Sequence, residues 1–125
     1  MQNKPFSLKT RFQSFKYAFK GLIFLLKQEH NAWIHGFVAM GVLIAGIIFH
    51  ISPTEWIAVI FAIGMVLSAE ALNSAIESLA DFVSPQHQKQ IGKVKDLAAA
   101  AVLILAICAA IIGLIIFIPK IESLL

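Results

Sequence analysis

Apolar and polar positions along this chain come in long blocks, and the blocks predict four helices. Three stretches are apolar enough and long enough to cross a bilayer, for which a helix needs roughly 20 apolar residues. They run from Ala32 to Phe49, Trp56 to Val83 and Leu97 to Ile118, giving spans at about 32–50, 56–83 and 97–118. The first carries His35 as its one titratable group, and the third carries no charge. The second opens cleanly with WIAVIFAIGMVLSA and then places Glu70, Glu77 and Asp81 in an otherwise greasy run.

Residues at about 6–28 follow a different rhythm. At about 100° per residue, Lys9, Lys16, Lys20 and Lys27 fall within about 40° of one another, while Phe12, Phe15, Phe19, Leu22 and Leu26 fill a separate arc about 80° wide. Such a helix lies in the membrane interface, phenylalanines toward acyl chains and lysines toward phosphates. With that face occupied by the bilayer, nucleic acid is not an expected partner. The first turns interleave Lys, Arg and Phe without an uninterrupted apolar core, so a cleavable signal peptide is not expected. A disordered stub of about five residues is expected ahead of the helix.

Composition narrows the class. Hydrophobic residues make up 59% of the 125 and charged residues 14%, with a mean hydropathy of +0.85, which excludes an ordinary water-soluble domain. The fold class that follows is an all-α membrane protein of one domain, with a surface helix and three transmembrane helices and no internal repeat. The basic residues Lys4, Lys9, Arg11, Lys16, Lys20 and Lys27 precede the first span, and Lys89, Lys93 and Lys95 lie between the second and third. The short link from His50 to Glu55 has none. Positive residues stay inside, so the N-terminus, the 84–96 connection and the carboxylate-bearing end of the second span are expected to be cytoplasmic. Cys108 reads as a small apolar filler.

The carboxylates in EALNSAIESLAD pose the main question, because charge inside a membrane helix costs several kcal/mol per group and is retained for a reason. Relative to Glu70, Asn73, Glu77 and Asp81 lie at about −60°, −20° and +20°, one narrow stripe. From Trp56, Glu70 lies about 21 Å along the helix and Glu77 about 31 Å, which puts Glu70 just inside the hydrocarbon and Glu77 at its boundary. A carboxylate at that depth suits a general base for a hydroxyl held at the interface. Glu77 is placed to hold a hard divalent cation, whereas Asp81 reads as a residue that snorkels to water. Lipid contact is excluded for the stripe, so a subunit interface is expected to shield it. Ion translocation competes on the same residues, but it needs polar groups along the outer halves of the spans, and those offer only Ser68 and His50.

Two further patches fall on the same membrane face. KQEHNAWIH places Glu29 where the surface helix turns into the first span, and KVKD places Lys95 and Asp96 before the third. Lysine and carboxylates meeting at one surface fit a phosphate and Mg²⁺ site, although neither a P-loop nor a GxGxxG is present. His30, His35, His50 and His87 lack metal-ligand spacing and read as interfacial polar residues.

EALNSAIESLAD followed by KVKDLAAAAVL, with the KGL end of the surface helix and the EHNAWIH turn, resembles the signature of the prokaryotic diacylglycerol kinase family. The resemblance covers nearly the whole chain. It implies a small inner-membrane homotrimer that transfers phosphate from ATP, with Mg²⁺, to a lipid alcohol: diacylglycerol first, undecaprenol as the alternative. A non-catalytic scaffold or small transporter is the distant third reading. By position, Glu70 matches the family's proton acceptor, and Glu29 and Glu77 match its metal-binding carboxylates. The ATP contacts fall to Tyr17, Glu29, Asn73, Glu77, Gln86, His87, Gln88, Lys95 and Asp96, and the lipid contacts to Glu70, Arg11 and Asn31. The chain departs from the family in one place, with Trp33 where an arginine is frequent.

Overall fold

The computed structural model describes residues 5–125, so Lys4 and nearly all of the expected stub lie outside the described residues. Four helices follow in order: α1 (Leu8–Gln28), α2 (His30–Ile48), α3 (Pro53–Val83) and α4 (Lys89–Glu122). No strand occurs among the described residues. Three of the helices, α2, α3 and α4, are long and apolar enough to cross a membrane.

Each boundary has a local cause. Ser7 is extended, and its hydroxyl accepts the Thr10 N–H at 3.5 Å, satisfying one of the free donors at the start of α1. Glu29, with φ −109 and ψ 112, ends α1 and begins α2, a one-residue elbow. The indole N–H of Trp33 donates to the Leu26 carbonyl, one of the acceptors left open in the last turn of α1. This side chain therefore pins the elbow from the α2 side. At the far end of α2, the Ile51 N–H reaches Gly46 O at 3.2 Å and the His50 N–H reaches Ile47 O at 3.3 Å. His50 sits between them in the left-handed region, at φ 51. This is a Schellman closure with histidine where glycine is usual. Ser52 and Glu55 then form a reciprocal capping box at 2.9 and 3.2 Å, with Pro53 in the first turn of α3.

The packing is lean. α3 pairs along its length with α4, α2 lies against α3, and α1 touches α2 and α3 more lightly. Among the described residues, an apolar core gathers Ile51, Val59 and Ile116 with Trp56 and an edge-on Phe49–Phe117 pair whose ring centres are 6.1 Å apart. Lys120 meets Glu55 at 3.3 Å and ties α4 to α3 at the same end. Most other large apolar side chains face outward, Phe37, Phe61 and Ile104 among them. That is the arrangement a lipid solvent requires, since the hydrocarbon covers apolar side chains and the helices satisfy their own backbones.

The starts of α2, α3 and α4 lie ahead of the hydropathy limits, whereas α2 ends at Ile48, short of the expected residue 50, and α1 starts at Leu8 instead of residue 6. α4 begins at Lys89 instead of Leu97, α3 at Pro53 instead of Trp56, and α2 at His30 instead of Ala32. Hydropathy marks where a helix enters hydrocarbon, but a helix ends only where its hydrogen bonding ends. KQIGKVKD contains good helix formers, and its one weak point, Gly92, costs about 1 kcal/mol. The 84–96 connection therefore shortens to residues 84–88. With 31 and 34 residues, α3 and α4 extend about 47 and 51 Å at 1.5 Å per residue. The hydrocarbon is only about 30 Å thick, so their polar ends stand clear of it.

Candidate functional site

The polar stripe on α3 splits into a buried and an open half. Glu70 is 1% exposed, Asn73 8% and Ser74 9%, whereas Glu77 is half-buried and Asp81 is open. Helix periodicity explains the first group, because Asn73 and Ser74 stand one turn from Glu70 on the face turned toward the other helices. Glu70 is the one side chain of the described residues below 2% exposure that carries a charge. Its Oε1 lies 2.8 Å from Nδ1 of His35 on α2. The approach is off the line of an ideal hydrogen bond, so both atoms count as buried without a well-directed partner. Asn73 Oδ1 and Ser74 Oγ are also buried without partners.

His35 corrects the sequence reading, which placed all four histidines at the interface. Its Nδ1 is buried, and a quarter of its side chain remains exposed. The signal was present in the sequence, as His35 is the only titratable residue of its span, and a titratable residue inside a span is a functional candidate by default.

A second contact gathers at the ends of α3 and α4. Lys95 donates to Asp81 Oδ1 at 2.6 Å, so Asp81 does not snorkel alone but holds a lysine. The pair is open to water, so screening leaves it little worth for stability. Its consequence is positional, since it draws the Lys95 ammonium back over the end of α3 where Glu77 stands. Asp96 is exposed beside it.

The remaining site residues are not joined to these within the described residues of one chain. Tyr17 and Arg11 are exposed on α1, with Lys20 over the Tyr17 ring at 5.8 Å and Arg11 over the Phe6 ring at 5.9 Å. Asn31, Gln86, His87 and Gln88 are exposed. No group of three or more His, Cys, Asp or Glu side chains converges as a complete metal cage among the described residues. Glu29 and Glu77 nevertheless suit Mg²⁺ in their chemistry. Both are partly open carboxylates, and the Glu29 side chain makes no capping bond to α2. Mg²⁺ ordinarily takes one or two carboxylates and fills its remaining positions with water and phosphate oxygens.

Apolar grooves run between the helices. One of about 400 Å³ runs between α2, α3 and α4, with His35 as its titratable wall and Val42, Val66, Ala110 and Phe117 among the others. Another of about 630 Å³ between α3 and α4 is lined by Asn73 and by small residues such as Gly64, Ala69, Ala98 and Ala101.

Together these features define a small helical integral membrane protein with a buried carboxylate and a cluster of charged groups at one end of its bundle. The chain belongs to the prokaryotic diacylglycerol kinase family, whose model matches residues 16–117. That places it among lipid kinases. Over 109 residues it is 38% identical to the undecaprenol kinase of Bacillus subtilis, covering 87% of this chain and 89% of that one. Over 113 residues it is 33% identical to the diacylglycerol kinase of Synechocystis, covering 90% of this chain but 65% of that longer protein.

Proposed function

We propose that this protein is a Mg²⁺- and ATP-dependent lipid kinase of the cytoplasmic membrane, and that it transfers the γ-phosphate to the hydroxyl of undecaprenol in preference to diacylglycerol. The observation that carries the reaction is Glu70, a carboxylate buried at membrane depth and held against an imidazole. Packing alone is served better by an apolar side chain at such a position. The sequence placed diacylglycerol first. The order changes because similarity to the undecaprenol kinase is higher and extends over nearly all of both chains.

Phosphoryl transfer asks little covalent chemistry of a protein: it needs the two substrates aligned, the phosphate charge neutralised and the incoming hydroxyl deprotonated. Glu70 supplies the basicity for the last. Glu29 and Glu77 hold Mg²⁺, and the ion when bound neutralises charge on the transferred phosphate. Lys95 faces the same phosphates, with Asp81 setting its position. Asn73, Tyr17, Asp96 and residues 86–88 complete the nucleotide contacts, and Arg11 and Asn31 those of the lipid head. Several of these are too scattered in one chain to form one site, and the α3–α4 groove of small residues suits close helix approach between copies. Both facts support a homotrimer with sites shared across subunits. The lysines of α1 and of the α4 start support a cytoplasmic N-terminus and a cytoplasmic active site.

The test is transfer of labelled γ-phosphate from ATP by the purified protein in mixed micelles, with undecaprenol and diacylglycerol offered separately and together. Faster labelling of undecaprenol is expected. Faster labelling of diacylglycerol reverses the acceptor assignment, and labelling of neither removes the kinase reading for this chain. Mass measurement in mild detergent tests the assembly, and an active monomer contradicts it.

A further inference from the structure

The break between α1 and α2 is one residue long, and that residue is Glu29. In a continuous helix the Leu26 carbonyl would receive the N–H of residue 30, four positions on. The extended backbone at Glu29, φ −109 and ψ 112, takes that donor away, while the Glu29 N–H still reaches Leu25 O at 3.1 Å. An open carbonyl is costly where lipid replaces water. Trp33 supplies the missing donor, because its indole N–H bonds Leu26 O across the break. Since α2 begins at His30, the backbone N–H of Trp33 also makes the first intrahelical bond, to the Glu29 carbonyl. One residue therefore holds both sides of the corner, and Phe37, its ring centre 6.3 Å from that of Trp33, limits where the indole can turn. Little else fixes this place. Among the described residues, α1 buries Leu25 alone, and the first turn of α2 buries Ala32 alone.

We infer that Trp33 is a positioning residue for the cation site: by bridging the break, its indole N–H fixes where the Glu29 carboxylate stands. This rests on the metal reading of Glu29 and Glu77 above and extends it to the position where the chain departs from its family. The Glu29 side chain makes no capping bond to α2, so the backbone of the corner sets its place. Mg²⁺ demands near-ideal octahedral geometry. A carboxylate carried on a corner free to swing meets that demand less often, and the cost falls on cation affinity. A tryptophan at a membrane surface also serves as a headgroup anchor, a role that needs the ring and not a bond to Leu26. The two roles therefore use different parts of one side chain, which makes them separable by substitution.

Trp33→Phe keeps an aromatic ring and removes the donor, whereas Trp33→Gln keeps a neutral N–H donor and removes the ring. Initial rates of phosphate transfer to undecaprenol are measured over a Mg²⁺ titration at fixed ATP in mixed micelles. In Trp33→Phe the Mg²⁺ concentration for half-maximal rate should rise about three- to tenfold, the range that one hydrogen bond spans, while the rate at saturating Mg²⁺ stays within about twofold of wild type. Trp33→Gln should recover most of the wild-type requirement. A second readout needs neither metal nor substrate: amide hydrogen exchange of the segment 26–33 in detergent should be faster in Trp33→Phe than in wild type and slower again in Trp33→Gln. An unchanged Mg²⁺ requirement in Trp33→Phe overturns the inference, and equal impairment of both variants also overturns it, because the ring is then an anchor. The wild type decides the matter if Trp33→Phe does not assemble. Its Trp33 indole N–H, told apart from that of Trp56 by a Trp56→Phe protein, should exchange slowly with water although the residue is 53% exposed, and free exchange overturns the inference. Glu29→Gln shifting the Mg²⁺ requirement where Trp33→Phe does not removes this inference alone. No shift in either removes the metal reading and the inference with it, and a wild type that labels neither lipid removes the kinase reading.

Discussion

Replacing Glu70 by glutamine separates activity from stability by sign. The substitution removes one charge and almost no volume at a site that is 1% exposed. Burying an ionised carboxylate costs several kcal/mol even after relaxation, and its one close partner is the His35 nitrogen at 2.8 Å. An amide is cheaper to bury and still reaches that nitrogen, so the fold should be no less stable. Catalysis moves the other way. A positioned base is worth about 10²- to 10⁴-fold, equivalent to about 2.7 to 5.4 kcal/mol of barrier, and an amide cannot take up the proton of the acceptor hydroxyl. The assay is initial-rate phosphorylation of undecaprenol at saturating Mg²⁺-ATP in mixed micelles, with size exclusion and thermal unfolding in the same detergent. Turnover should fall by that range, KM for ATP should stay near the wild-type value, and the unfolding midpoint should not decrease. An assembled Glu70→Gln protein turning over within a few-fold of wild type would refute the role of this carboxylate in deprotonation. A protein that no longer assembles would instead make Glu70 a structural residue.

Glu29→Gln and Glu77→Gln should each raise the Mg²⁺ concentration needed for half-maximal rate, about tenfold or more for loss of one charged oxygen ligand, and Mg²⁺ titration of the rate measures it; wild-type dependence in both removes the metal assignment. Asp81→Asn releases Lys95 from its 2.6 Å partner, so KM for ATP should change by a few-fold while kcat holds, and a loss of kcat as large as that of Glu70→Gln would contradict the positional role. Gly46→Ala places a Cβ 2.7 Å from Trp56 Cη2 and 3.1 Å from Ile51 Cδ1; such overpacking costs about 1–3 kcal/mol, which a lowered unfolding midpoint in detergent should report, and an unchanged midpoint would mean that the Trp56 ring moves aside freely.

The parts of this molecule visible in the sequence are those set by local chemistry and by the bilayer. Three spans follow from apolar length alone, and the stripe of Glu70, Asn73, Glu77 and Asp81 follows from spacing on one helix. SPTE, which becomes the capping box of α3, is readable in the same local way. What stayed hidden depends on how helices meet. No periodicity links His35 to Glu70, since they lie on different helices and their contact exists only once α2 packs on α3. The Lys95–Asp81 pair depends likewise on α4 starting at Lys89, which hydropathy does not mark. The nucleotide residues on α1 and at 86–88 are unjoined for a further reason: a single chain has too little buried surface at this end to gather them.

That scarcity bears on why the polar stripe exists at all. The apolar core of the chain is small and lies near the Ile51 end of the bundle. The other end keeps Glu70 Oε1, Asn73 Oδ1 and Ser74 Oγ buried without well-directed partners. Each such group costs about 1–3 kcal/mol when left unmade, so the three together rival a large share of the 5–15 kcal/mol by which folded domains are usually stable. A sequence under pressure only for folding in a membrane would place leucine and alanine there and lose nothing. Acidic and amide groups persist at that depth because other atoms complete them. On the proposed reading, a lipid hydroxyl and a nucleotide phosphate would offer these groups partners, and a neighbouring copy of the chain would cover whatever the substrates leave. The least satisfied region of the isolated chain is thus the region where binding has the most free energy to recover, which is the condition for interactions that strengthen as the transition state forms.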